Sequence, residues 1–307
     1  MLALVAAALW TLRGQLPTIL QVARSTHPRR QLVAIASAIT LLVYALLIEC
    51  WRRVLGELGG HLRVGDAALI WLGSNLARYL PGAFWQIGVM GAMAQRRGVP
   101  LSVSTAASLL ITLVSTFTGM AIFFAALASL AVDPGAAPSL SGRAMLFVAL
   151  GTVGLAASPF VVPWLARIGS RLTAREIVLP RFSVRALLVA GAGTAIAWIG
   201  YGFAFWILAR AVLPDSGLRS VVGCVALYTF SYLVGLFNPM PAGIGVTEPV
   251  MVLLAPQFGV ATTAEATVLA LFVRAWRTVV EMAPSLVAVA VSSLRRRGGE
   301  GQSGAIL

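Results

Sequence analysis

The sequence predicts an all-α fold, a polytopic helical membrane protein with two interrupted or re-entrant segments that fit an inverted repeat. Three observations predict it. Apolar residues make up 59% of the chain against 11% charged, with a mean hydropathy of +0.90, whereas soluble domains carry about 25% charged residues. The charge-free runs 32–48, 98–132, 144–166, 186–209 and 220–247 approach or exceed the roughly 20 helical residues that cross about 30 Å of hydrocarbon. Two apolar stretches are also broken near their centres by proline and glycine, which a straight membrane helix avoids.

The charge pattern fixes the class of partner. There are 23 arginines, no lysine and 10 acids, for a net charge of +13. The arginines stand between apolar runs, as Arg29-Arg30, Arg52-Arg53, Arg96-Arg97, the string Arg167, Arg171, Arg175, Arg181, Arg185, and Arg295 to Arg297. That placement marks cytoplasmic loops facing anionic headgroups rather than a nucleic-acid surface. Cys50 and Cys224 lie in or beside apolar segments, and His27 and His61 in polar connections. Two such thiols make neither a metal cage nor a disulfide framework, and no metal or cofactor is expected.

Residues 1–297 read as one transmembrane domain and 298–307 as a disordered tail. Segment 1–12 is apolar but short and lacks the basic start and cleavage site of a secretory signal. It reads as the tail of a first membrane helix, either abbreviated or begun upstream. A second span covers 31–50, followed by a polar connection, 51–66, containing Gly59-Gly60. Segment 67–95 would be about 43 Å long as one straight helix. The break at Tyr79-Leu80-Pro81-Gly82 predicts two half-helices instead. In 101–131, Ser108, Thr112, Ser115 and Gly119 recur at helical spacing and read first as a packing stripe. The loop 133–142 is short on charge and reads as external. Spans 144–165 and 185–212 flank the most basic connection, and 264–294 is the last span.

Segment 218–257 carries the second break, Asn238-Pro239-Met240-Pro241-Ala242-Gly243-Ile244-Gly245-Val246-Thr247-Glu248. Irregular backbone at membrane depth is tolerated where protein or a wet cavity satisfies it, so this segment is read as cavity-lining. The motif Asn-Pro-x-Pro-x-Gly-x-Gly-x-x-Glu, with Arg274 inside a helix some way downstream, resembles the membrane domain of bacterial lysylphosphatidylglycerol synthase/flippase proteins and their stand-alone relatives. Ser74-Asn75-Leu76-Ala77-Arg78-Tyr79-Leu80-Pro81-Gly82-x-x-Trp85-Gln86 is similar to the matching motif of the stand-alone branch. Ala242 and Pro249 depart from the pattern, where glycine is common. The soluble synthase part is absent from the sequence read here, so lysyl transfer is not implied.

The resemblance implies lipid translocation across a bacterial cytoplasmic (inner) membrane, with an anionic or polyprenyl-linked lipid as partner and any protein partner unspecified. Its motifs put Arg78, Tyr79, Pro81, Gly82, Gln86, Asn238, Pro239, Pro241, Gly243, Gly245, Glu248 and Arg274 on the substrate path. Arg277 and Glu281, at i,i+4 spacing, read as a structural ion pair. Glu248 is expected to balance Arg78 and Arg274 when the path is empty. If both broken segments are hairpins, Arg52-Arg53 and Arg96-Arg97 lie on one side; if 67–95 crosses once, they part. The hairpin reading is preferred because entry from opposite faces matches an inverted repeat. A membrane-embedded transferase on a lipid phosphate is the competing reading, weakened by the scattered Asp66, Asp133 and Asp215; a non-transporting subunit of envelope synthesis is a third. No Gly-x-x-x-x-Gly-Lys loop for direct ATP use is present.

Overall fold

A charge-free run bounded by arginines forms the first described helix, α1 (Arg30–Glu57). The computed structural model describes residues 21, 26–79, 85–130, 183–213, 220–236, 238, 243 and 245–303. Sequence alone ends this helix at residue 50, and the structure corrects that boundary. Glu49 pairs with Arg52 and Arg53, each at 2.7 Å, as neighbours on one helix face. Trp51, Val54 and Leu55 go into the core. The polar residues are therefore a helix surface, and the chain turns at Gly59, whose φ of +87° suits glycine.

The first broken segment is a helical hairpin of α2 (Val64–Asn75), a 3₁₀ turn (Leu76–Tyr79) and α3 (Trp85–Gln95). Its two open ends are joined by an Arg97–Asp66 ion pair. Near the tip, Gln86 Nε2 donates to Asn75 Oδ1 at 2.8 Å. Each arm is about 17 Å long, roughly half the hydrocarbon thickness.

Next come α4 (Leu101–Leu130) and α5 (Val184–Val212). Helix α5 lies antiparallel to α1: Ser183 donates to Glu57 at one end, and the Arg29 amide donates to the Ala211 carbonyl at the other. Between them the helices approach closely at glycine. A Cβ on Gly200 would lie 2.7 Å from Val43, and one on Gly193 would lie 2.8 Å from the Cys50 sulfur. Small residues at such crossings let backbones come together.

The second broken segment is again a hairpin, of α6 (Val221–Leu236) and α7 (Thr247–Leu254). Gly223, at the start of α6, lies against the Phe258 carbonyl beyond α7, while Gly235, at its end, lies against Thr247. Helix α8 (Thr263–Ser303) follows, continuing past residue 297, where the sequence reading begins a disordered tail. Pro284 inside it cannot donate to the preceding turn, and the neighbouring Ser285 hydroxyl donates to the Glu281 carbonyl at 2.7 Å.

The contacts fix how these parts are oriented. The first hairpin opens at the end of the bundle that holds Glu57, Arg97 and Ser183. The second opens at the other end, where Phe258 and Phe230 pack on Phe123 near the end of α4. Their tips face each other. Helix α4 packs along α6, and α8 packs along α2, so each long helix lies against the other half's hairpin.

Among the described residues, α1, α4 and α5 are long and apolar enough to cross a membrane. The outer faces of α1, α5 and α8 show Leu42, Val184, Leu188, Ile199, Leu271 and Val279 between 55% and 72% exposed. A belt of that kind belongs against lipid. The chain is a multi-pass membrane protein. The predicted spans 1–12 and 144–165, the loop 133–142, most of the basic connection, and Pro81, Gly82, Pro239 and Pro241 lie outside the described residues.

Candidate functional site

The two hairpin tips, with α1, α4, α5 and α8, enclose a cavity of about 200 Å³. The first hairpin contributes Asn75, Arg78 and Gln86; the second contributes Tyr232, Gly235, Asn238, Gly243 and Thr247; α8 contributes Arg277. The breaks explain how this surface is built. Gly243 and Gly245 have φ of +69° and +79°, a region that L side chains disfavour. A Cβ on Gly243 would also meet the Gly235 backbone at 3.0 Å.

A charged and phenolic cluster forms the cationic wall. Arg277 Nε donates to Glu281 Oε1 at 2.7 Å, and Tyr79 OH donates to Glu281 Oε2 at 3.3 Å. Arg78 donates to the Tyr232 hydroxyl. Both guanidiniums also lie over the Tyr232 ring, Arg78 at 5.6 Å and Arg277 at 4.8 Å from its centre. Tyr44, Tyr201 and Tyr228 continue the cluster, with successive ring centres about 6 Å apart. All five tyrosines of the chain therefore gather here. Two guanidiniums share one carboxylate, so the cluster carries an excess positive charge beside the cavity. A buried charge is held by ion pairing, phenol oxygens and ring faces, and an unbalanced cation attracts an anion.

A second pair sits on the far side of Arg277. Arg274 lies 3.5 Å from Glu248, and Glu248 accepts from the Gly245 amide at 3.0 Å, closing the turn that starts α7. Thr247, Glu248, Arg274 and Arg277 line a small pocket of about 20 Å³. Arg78 thus contacts Tyr232 and feels the charge of Glu281, while Glu248 pairs with Arg274, a different division from the expectation that Glu248 serves both arginines. Which acid an arginine meets depends on helix packing, which motif spacing does not encode.

Over residues 1–285 the sequence matches the family described as Lysylphosphatidylglycerol synthase TM region. The chain belongs to that family. No curated protein matches it. Pro249, a departure from the expected pattern, falls in the first turn of α7, where a missing amide hydrogen costs no helix bond.

The remaining wall is neutral. Ser108, Thr112 and Ser115 of α4 also line the cavity, while Ser108 is buried and keeps a packing role against Trp51. Gly119 shares the stripe's packing role, since a Cβ there would lie 2.8 Å from Trp198. Trp198 Nε1 donates to the Ser115 carbonyl at 2.8 Å, and Trp51 Nε1 donates to Ser108 Oγ at 3.1 Å. Sequence reasoning did not single out Tyr44, Tyr201, Tyr232 or Asn75 as site residues. The signal available was Tyr228 and Tyr232 at i,i+4 spacing in a run otherwise free of large polar groups.

Proposed function

We propose that the protein is a flippase-like transporter of the bacterial cytoplasmic membrane. It moves the headgroup of an anionic phospholipid or polyprenyl-linked lipid between leaflets, and it catalyses no covalent step. The observation that carries the reading is the cavity between two oppositely opening hairpins, with two guanidiniums and one carboxylate at its side. Each hairpin is a re-entrant segment and the two halves form an inverted repeat, in which α1, the first hairpin and α4 correspond to α5, the second hairpin and α8. Half-helices that meet at the bilayer centre are the usual site of such transporters. The lipid phosphate sits at Arg78 and Arg277, and opening of one hairpin or the other gives access from each leaflet. The small cavity takes a headgroup, while the acyl chains stay in the bilayer.

The arginine-rich end, with Arg52, Arg53, Arg96, Arg97 and Arg185, is cytoplasmic by the positive-inside rule. In intact cells His27→Cys is expected to react with an impermeant thiol reagent and His61→Cys to be shielded, both sites being exposed; the reverse pattern would invert the topology. Transport itself is tested in liposomes carrying headgroup-labelled phospholipid, with dithionite reporting which leaflet holds the label. Wild-type protein should move the label. Arg277→Gln should slow it by about tenfold or more, a loss near 1.4 kcal/mol. Equal rates in protein-free and wild-type vesicles would overturn the reading.

A further inference from the structure

Arg78 and Arg277 arrive at the cavity from different elements, the 3₁₀ turn of the first hairpin and α8. Like charges repel, so their spacing needs a fixed support. Tyr232 is that support: its hydroxyl accepts from Arg78, and the two guanidiniums lie over its ring, 5.6 Å and 4.8 Å from the centre. Tyr232 stands on α6 and is half-buried, so the direction of its ring rests on what packs against it. The nearer of its ring neighbours among the described residues is Trp198 of α5, which meets it edge-on with centres 5.3 Å apart and planes at 82°, a geometry that aromatic pairs favour.

Trp198 is itself held by α4 at two points one turn apart. Its Nε1 donates to the Ser115 carbonyl at 2.8 Å, and the same edge of the indole lies on Gly119, where an added Cβ would come within 2.8 Å of Cε2 and 2.9 Å of Nε1. One turn earlier on α5, the hydroxyls of Thr194 and Thr118 share a hydrogen bond of 2.9 Å between the same two helices. Trp198 is 4% exposed, and a side chain so enclosed is confined to one rotamer. A chain of direct contacts therefore runs from the α4 backbone through Trp198 to Tyr232, and from Tyr232 to both cations. Building on the transport reading, we infer that Trp198 is a positioning residue: it fixes the Tyr232 ring and thereby the spacing of the two guanidiniums that meet the lipid phosphate. Gly119 belongs to the same device, because a residue without a side chain lets the indole reach α4. Gly119 does not line the cavity, so its influence on the ligand passes through Trp198.

The experiment follows labelled phosphatidylglycerol in liposomes holding the full chain and separates the half-saturating lipid fraction from the maximal rate, with unfolding temperature in detergent measured beside them. Trp198→Leu should raise the half-saturating fraction by about fivefold. Trp198 also borders the cavity, and coupling separates an action through Tyr232 from a direct touch on the lipid. Tyr232→Leu should weaken half-saturation at least as much, and the double variant should be no worse than Tyr232→Leu alone. Gly119→Ala, which crowds the indole from α4, should shift half-saturation in the same direction, and combining it with Trp198→Phe, a smaller ring, should restore part of the loss. Gly193→Ala is the packing control, since its Cβ would lie equally close, 2.8 Å, to the Cys50 sulfur. It should lower the unfolding temperature and leave half-saturation unchanged. Effects of Trp198→Leu and Tyr232→Leu that multiply, or equal shifts in half-saturation from Gly119→Ala and Gly193→Ala, overturn the positioning role. Wild-type movement by Arg78→Gln and Arg277→Gln overturns instead the transport reading beneath it, so the two failures are distinguished.

Discussion

Arg274 and Arg277 stand one turn apart on α8, and each meets a glutamate, yet the two pairs are built differently. Arg277 and Glu281 belong to one helix, touch at 2.7 Å and have side chains 12% and 6% exposed. Arg274 reaches across to Glu248 of the second hairpin at 3.5 Å, with side chains 21% and 20% exposed. The first pair is enclosed by phenols and shares its carboxylate's field with Arg78; the second spans a joint between a long helix and a short half-helix. An enclosed pair is costly to break because the survivor is left without solvent or partner. A looser, more exposed pair costs less to lose. One helix thus carries an enclosed charge pair and a more exposed one side by side.

The largest expected effect is at Glu281. Glu281→Gln leaves Arg78 and Arg277 without their shared counter-charge, and the expected loss is about 3–5 kcal/mol of stability, read as a lower unfolding temperature in detergent. Combining it with Arg277→Gln should recover much of that loss, because the uncompensated cation is gone as well. Equal melting of single and double variants would show the pair to be uncoupled. Next in size is Arg277→Lys, which keeps the charge but loses the planar contact with Tyr232 and the directed bond to Glu281. It should retain stability better than Arg277→Gln and transport less well than wild type. The smallest effect is at the looser pair. Glu248→Gln should change stability by about 1 kcal/mol or less while altering the rate of lipid movement, since it weakens the contact between α7 and α8. A stability loss as large as that of Glu281→Gln would erase the distinction between the pairs.

The parts legible in sequence were those governed by local chemistry. Proline and glycine inside apolar runs mark the two breaks wherever the chain is later packed, because they act on their own backbone. The Arg277–Glu281 contact follows from i,i+4 geometry and needs no tertiary information. The extension of α1 to Glu57 was hidden because arginines beside an apolar run look like a loop until their pairing with Glu49 is seen. The tyrosine cluster was not legible for a different reason. Tyr44, Tyr201 and Tyr232 come from α1, α5 and α6, and only the crossing of those helices brings them together. The division of acids between Arg78 and Arg274 depends likewise on the register of α8 against the hairpins.

The central claim is that the cluster beside the cavity holds the lipid phosphate, and Arg78 tests it most directly because it hydrogen-bonds a phenol rather than a carboxylate. Its removal therefore leaves the Arg277–Glu281 pair in place and the charge of the cluster neutral. Movement of labelled phosphatidylglycerol by Arg78→Gln, measured beside its unfolding temperature in the same detergent, is the decisive experiment. The account predicts a protein that melts close to wild type and moves the lipid about tenfold more slowly, a loss near 1.4 kcal/mol. Wild-type lipid movement by a stable Arg78→Gln protein would contradict it.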